Sequence, residues 1–207
     1  MTQKAKNSLE QQAKASLRIN LQSVAPIDEI ELDKLMNLYE LVCVKKNQII
    51  INKGEAPDSF YYIYKGIIRV YYYLNDKMVL ERFEKENGFF GGNFSHLLNQ
   101  EPISIYESVE DMCMLRMKYA DLEEVLKDSH QIERLYRMYL EKFHVSYVQN
   151  VAFYKSLNSE ERYREFINQF GDIANRVSLK DIANYLEMTP ETLSRIRAKF
   201  DKLNKKK

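Results

Sequence analysis

Glu191, Thr192, Ser194, Arg195 and Lys199 crowd one short segment near the end of the chain. Glu191 and Arg195 are four residues apart, so on a helix they share a face. A glutamate accepts from N4 of cytosine, and an arginine forks onto O6 and N7 of guanine. Hydroxyls and an ammonium beside them suit phosphate oxygens. Those types suit reading base edges and binding phosphates in a major groove. The sequence offers no comparable set for catalysis. His96, His130 and His144 are scattered, and neither a Gly-rich phosphate loop nor a nucleophile elbow occurs. The chain is not expected to be an enzyme or to hold a metal.

Two helices must position this face. Thr189 is an N-cap type, Pro190 fits the first helical position, and Glu191 puts negative charge at the positive end of the helix dipole. Leu193, Ile196 and Phe200 give the helix a buried stripe. Before it, Ser178 caps a shorter helix, with Asp181 three residues on as its acidic partner and Ile182, Ala183 and Leu186 as its apolar face. The break falls at Glu187 and Met188. Two short helices joined by a tight turn make a helix-turn-helix, with the second as the recognition helix. Ser178, Lys180 and Thr189 join the DNA-facing set. A plain helical hairpin with solvated charges is the alternative, and charge argues against it. Arg176 to Lys207 holds nine Lys or Arg against four acids, although the whole chain carries only +1. A near-neutral protein with a basic end concentrates a phosphate-attracting field there.

With 207 residues, 45% of them apolar, the chain can build one large or two small domains. No run approaches the length of a membrane span. Lys4 and Lys6 are not followed by an apolar stretch, so the start does not read as a secretory signal. Cys43 and Cys113 show no spaced pattern, which predicts a reducing cytoplasm rather than a disulfide framework.

Met1 to Ser23 is polar, with few apolar residues, and reads as a frayed helix or a partly disordered arm. Ile27 to Val42 repeats Ile30, Leu32, Leu35, Leu38 and Leu41 at helical spacing. From Val44 to Met117 the pattern is short strands and turns, as in an antiparallel barrel or sandwich. Tyr119 to Lys127 reads as a short helix, followed by a long one from His130 to Tyr154. The long helix has two apolar stripes. One is Ile132, Tyr136, Tyr139, Phe143 and Tyr147, continued by Phe153 or Tyr154. The other is Leu135, Met138, Val145, Val148 and Ala152. A helix apolar on two sides needs two partners, here a barrel and the same helix of a second subunit. Ser159 is expected to cap the next helix, which runs through Phe170.

Strands, long helix and terminal helix-turn-helix together resemble the Crp/Fnr family of bacterial transcription regulators, over about Ile27 to Phe200. K-G-E-A-P-D-S-F-Y-Y-I-Y-K-G, Lys53 to Gly66, is similar to the first signature of cyclic-nucleotide-binding β-rolls, with Gly54 and Gly66 at its turns. G-F-F-G-G, Gly88 to Gly92, resembles the family's G-x-x-F-G-E segment, and Met188 to Arg195 its recognition helix. The resemblance implies an α+β chain: an N-terminal antiparallel, jelly-roll-like β-roll (1–128), a dimerisation helix (129–155) and a C-terminal winged helix-turn-helix (156–207). Its DNA-reading residues carry over to Glu191, Ser194 and Arg195. Its ligand chemistry does not. Gly92 stands where an acid would meet the ribose. Glu101 is followed by Pro102 and Ile103, not by the Arg-Ser pair that meets the cyclic phosphate. An unpaired buried phosphate is costly, so control by cyclic AMP is not expected.

Any effector pocket would involve Gly91, Gly92, Asn93, Phe94, Glu101 and Ser104, its ligand being unknown. Two cysteines cannot supply four cluster ligands, so no iron–sulfur cluster is expected, and no haem. At Glu187 relatives often have glycine. If that residue takes positive φ, glutamate costs about 1 kcal/mol there. The reading is a cytoplasmic homodimer that binds double-stranded DNA, with RNA polymerase as a partner if it activates, and no membrane. An effector-independent DNA binder with a vestigial roll, and a signalling module acting through protein contacts, are the alternatives.

Overall fold

A computed structural model describes residues 2–91 and 100–204, without side chains at 146, 149, 150, 152–155 and 201–204. Gly92, Asn93 and Phe94, the tail lysines Lys205 to Lys207, and the stripe positions Ala152, Phe153 and Tyr154 lie outside what is described. Contacts divide the chain into two units, 1–70 with 83–145 and 71–82 with 146–207.

The first unit begins with α1 (Gln3–Gln22) and α2 (Glu29–Leu38). The strands are β1 (Glu40–Val44), β2 (Ile49–Ile51), β3 (Ser59–Lys65), β4 (Ile68–Leu74), β5 (Lys77–Glu84), β6 (Phe89–Phe90), β7 (Ile105–Ser108) and β8 (Met112–Lys118). They form two four-stranded sheets, ordered β1-β8-β3-β6 and β2-β7-β4-β5. α3 (Tyr119–Asp128) and the start of α4 (His130–Ser156) follow. The strands fold back on one another because glycines and Asx residues place left-handed turns between β-branched and aromatic runs. Asn75 and Asp76 both take positive φ at the β4–β5 turn. Gly66, with φ 113°, lies so close to β8 that a Cβ there would sit 2.2 Å from Cβ of Met112. One apolar core fills the space between the sheets, with Ile63, Ile68, Val70, Met112 and Met114. The other joins Tyr62, Leu115 and Met117 to the helices.

Three expectations about this unit need correction. Residues 3–22 form a full helix, not a loose arm. Its Leu9, Ala13, Leu17 and Leu21 recur every four residues, and the last three are buried in the core. Alanine at the second position hid the stripe. Ser16 also bonds the Tyr62 hydroxyl at 2.8 Å, and Arg18 holds Glu29 at 2.6 Å. Next, the helix containing Leu32 and Leu35 stops at Leu38. Tyr39 is extended and Leu41 lies in β1 opposite Leu115. Pairing with β8 outweighs the three-residue spacing of Leu38 and Leu41. Finally, Cys43 and Cys113 are disulfide-bonded. They are 70 residues apart, and antiparallel pairing of β1 with β8 sets them directly opposite each other.

The second unit contains α5 (Ser159–Phe170), α6 (Leu179–Tyr185) and α7 (Pro190–Asn204), together with the hairpin segment 71–82. Its core is Tyr163, Phe166, Ile173, Val177, Ile182, Ala183, Leu186, Leu193 and Ile196. Phe166 and Phe170 set their rings against Tyr185 at 5.9 and 6.1 Å, and Phe200 meets Tyr163 at 5.6 Å. The cap of α5 is Asn158, one residue before the expected Ser159. Its carboxamide accepts from the amides of Glu160 and Glu161, and Glu161 returns a bond to the Asn158 amide. This reciprocal box satisfies donors that Ser159, already helical, cannot reach. Among the described residues α7 is the last element, and no strand follows it.

Candidate nucleic-acid interface

The turn between α6 and α7 is built by backbone bonds. The Met188 amide donates to the carbonyl of Ala183 at 2.9 Å, and the Glu187 amide to that of Asn184 at 3.0 Å. These are the two bonds of a Schellman motif, which requires a left-handed residue between them. Glu187 fills that position with φ 55°, so the anticipated strain is present. Its carboxylate meets Arg162 at 2.9 Å.

Both helix starts are capped as their residue types predict. The Ser178 hydroxyl accepts from the Asp181 amide at 3.0 Å and donates to the Asp181 carboxylate at 2.8 Å. The Thr189 hydroxyl accepts from the Thr192 amide at 3.2 Å. Leu193 is fully buried and Ile196 nearly so, which rotates the opposite face outward. Glu191, Ser194 and Arg195 are exposed, and Thr192 is half-buried. The Arg195 side chain makes no hydrogen bond or ion pair among the described residues. The Glu191 carboxyl is held below its ordinary range, first by a backbone bond, then by the Thr189 hydroxyl and the charge of Arg195. It is therefore an acceptor at neutral pH.

Ser178, Lys180 and Thr189 are exposed on the same unit. Lys199 is exposed too, but its ammonium is engaged by both carboxylate oxygens of Glu160 at 2.7 and 2.8 Å. Sequence reasoning missed that tie, because Glu160 is 39 residues away and carries no local signal. Also unforeseen was Asn184. Its carboxamide accepts from the Leu80 amide at 2.7 Å and donates to the Met78 carbonyl at 2.8 Å. β5 is the outer strand of its sheet, and this side chain bonds two of its edge groups. An edge strand leaves such groups unpaired unless something covers them.

A model of the cyclic nucleotide-binding domain matches residues 41–129. The chain is 23% identical over 193 residues to the anaerobic regulatory protein of Haemophilus influenzae, covering 86% of this chain and 73% of that protein. It is 25% identical over 193 residues to the regulatory protein HlyX of Actinobacillus pleuropneumoniae, covering 85% and 78%. Over these spans the chain is similar to regulators of the Crp/Fnr type. Among solved structures it resembles FixK2 from Bradyrhizobium japonicum, with TM-score 0.66 and 19% identity over 80% of this chain and 86% of that one. It also resembles CLP of Xanthomonas campestris, a global regulator described as responsive to c-di-GMP, with TM-score 0.66 and 12% identity over 86% and 93%.

The expected effector positions fall only partly within the described residues. Gly91 is buried, and its carbonyl accepts from the Tyr119 hydroxyl at 2.9 Å. A Cβ on Gly91 would come within 2.6 Å of Cα of Phe60, so the sheet leaves room only for glycine. Ser104 is buried and Glu101 is exposed. Arg69 is paired with buried Glu107 at 2.8 Å, and Arg82 with its neighbour Glu81.

On the long helix, the two expected stripes sort by position along the axis rather than by side. Ile132 and Leu135 are buried in the roll's own core, with Tyr136 and Met138 packed against it. Tyr139 meets Phe89 at 4.8 Å, and burial pushes its hydroxyl pKa up. Farther along, Phe143, Val145, Tyr147, Val148 and Val151 are 37–55% exposed.

Proposed function

We propose that this protein is a sequence-specific DNA-binding transcription regulator of the Crp/Fnr type that works as a homodimer on a palindromic site. The observation that carries the reading is the exposed Glu191–Arg195 pair in the first turns of a doubly capped helix-turn-helix. A helix N-terminus with a free guanidinium and an ionised carboxylate has the groups for guanine and cytosine edges. Ser178, Lys180, Thr189, Thr192 and Ser194 supply contacts to the backbone, and Lys199 joins them by releasing Glu160. Residues 1–128 form the sensor or scaffold, 129–155 the dimerisation helix and 156–207 the reading head. The apolar second half of α4 covers the same segment of a second subunit. The protein works in the cytoplasm, and RNA polymerase is its further partner if it activates.

Cyclic AMP is not its effector. The sequence lacks an Arg-Ser pair after the Phe-Gly turn, and two candidate cations, Arg69 and Arg82, already hold acids. Those ion pairs also favour a second reading, in which the roll binds no effector and the protein reads DNA unconditionally. Selection of binding sites from random duplexes tests the main reading. It predicts two-fold symmetric sites with half-site centres about 34 Å apart. A thermal-shift screen of metabolites separates sensor from scaffold, since a ligand at a hundred times its dissociation constant adds about 2.7 kcal/mol.

A further inference from the structure

Cys43 and Cys113 are the chain's two cysteines, bonded across the β1–β8 ladder with Cα atoms 4.1 Å apart. This is the narrow spacing of an antiparallel pair, where side chains stand closest. β1 is the outer strand of its sheet, so the bond fastens an edge strand to its neighbour. The two sulfurs are not equivalent. Cys43 is exposed, whereas Cys113 is half-buried against the helix-facing core. Thiol exchange starts by thiolate attack on a reachable sulfur, which here is that of Cys43. The sulfur that leaves is then Cys113, whose other cross-strand partner is Lys65.

We propose that Cys43–Cys113 is a site of reversible thiol modification, opened by a monothiol of the glutathione class through a mixed disulfide on Cys43. The incoming thiolate bonds to Sγ of Cys43 as the Sγ–Sγ bond breaks, and Cys113 departs as a thiolate that is protonated by water. A second thiolate attacks the outer sulfur of the mixed disulfide and releases Cys43, forming the small-molecule disulfide. The protein pair gains two electrons and the two monothiols lose two. The reverse sequence, driven by the oxidised small molecule, closes the bond. The closed form ties residues 70 apart and holds β1, whose Leu41 lies in the core beneath α1 and α2. The proposal does not depend on DNA binding.

The test uses the folded full-length chain in buffers of graded reduced-to-oxidised glutathione ratio, with acid quench, alkylation and mass mapping. Both forms should populate across the series, with the same ratio reached from either side. The glutathione adduct should map to Cys43. Cys113→Ser should be glutathionylated at Cys43, while Cys43→Ser should react at Cys113 roughly tenfold more slowly. The oxidised chain should melt roughly 10 °C above the reduced one. A bond that excess glutathione opens only in denaturant would make it a permanent staple and overturn the proposal. So would a first adduct on Cys113, or a reduced chain that does not reclose with oxidised glutathione.

Discussion

Asn184 bonds the peptide groups on either side of Val79, accepting from the Leu80 amide and donating to the Met78 carbonyl. One carboxamide thus stands in for a strand along the edge of β5. Asn184→Ala leaves a donor and an acceptor unmet, at a cost of roughly 1–3 kcal/mol if neither is rehydrated. Asn184→Asp keeps only the acceptor and should fall between. Hydrogen exchange at the Leu80 amide checks this directly. Protection there should drop in Asn184→Ala while the amides of α5 keep theirs.

Glu187 is strained by its left-handed backbone and helped by Arg162. The strain is worth about 1 kcal/mol against glycine. An ion pair with so exposed a carboxylate is worth a few tenths of a kcal/mol. Strain is the larger quantity, so Glu187→Gly should stabilise the chain slightly, by about 0.5 kcal/mol. Glu187→Val keeps the strain and loses the pair, so it should destabilise. Urea midpoints at constant slope measure both.

The exposed apolar length of α4 predicts where dimerisation is sensitive. Val145→Glu or Val148→Glu puts a charge in the proposed interface, where an unpaired buried charge is very costly. Sedimentation should show dimers for the parent and monomers for these variants, with the fold of the roll intact by circular dichroism. Tyr139→Glu is a different test, because Tyr139 packs on Phe89 in its own roll. It should lower the melting temperature even in a monomer.

Tight binding of cyclic AMP or cyclic GMP is not expected. Calorimetry should give no micromolar association with either. A micromolar constant would mean that Arg69 leaves Glu107, or Arg82 leaves Glu81, to meet the phosphate.

Legibility in the sequence followed how local each signal is. The helix-turn-helix could be read because Ser178, Thr189 and Pro190 mark helix starts within a few residues of what they cap. The roll's turns were visible for the same reason, in Gly54 and Gly66, which both take positive φ. Contacts between distant segments were not visible. Cys43 meets Cys113, Lys199 meets Glu160, and Asn184 meets β5 only after the chain has folded. The first helix read as no more than a frayed helix or a loose arm because Ala13 completes its stripe, and alanine carries little hydrophobic signal. Leu41 misled because a spacing of three residues fits a helix, although Tyr39 to Val44 suits a strand equally well.

The central claim is that Glu191 and Arg195 read bases. The direct measurement is binding of the parent and of Arg195→Ala to a selected site and to random duplex, each titrated across several salt concentrations. The account predicts that Arg195→Ala loses about 1–3 kcal/mol on the selected site, with relaxed preference at one guanine per half-site and little loss on random DNA. Lys205, Lys206 and Lys207 changed together to Ala should instead weaken binding to both and flatten the salt slope, if the tail touches phosphate. Equal losses for Arg195→Ala on selected and random DNA would show that Arg195 touches only the backbone, and would contradict the account.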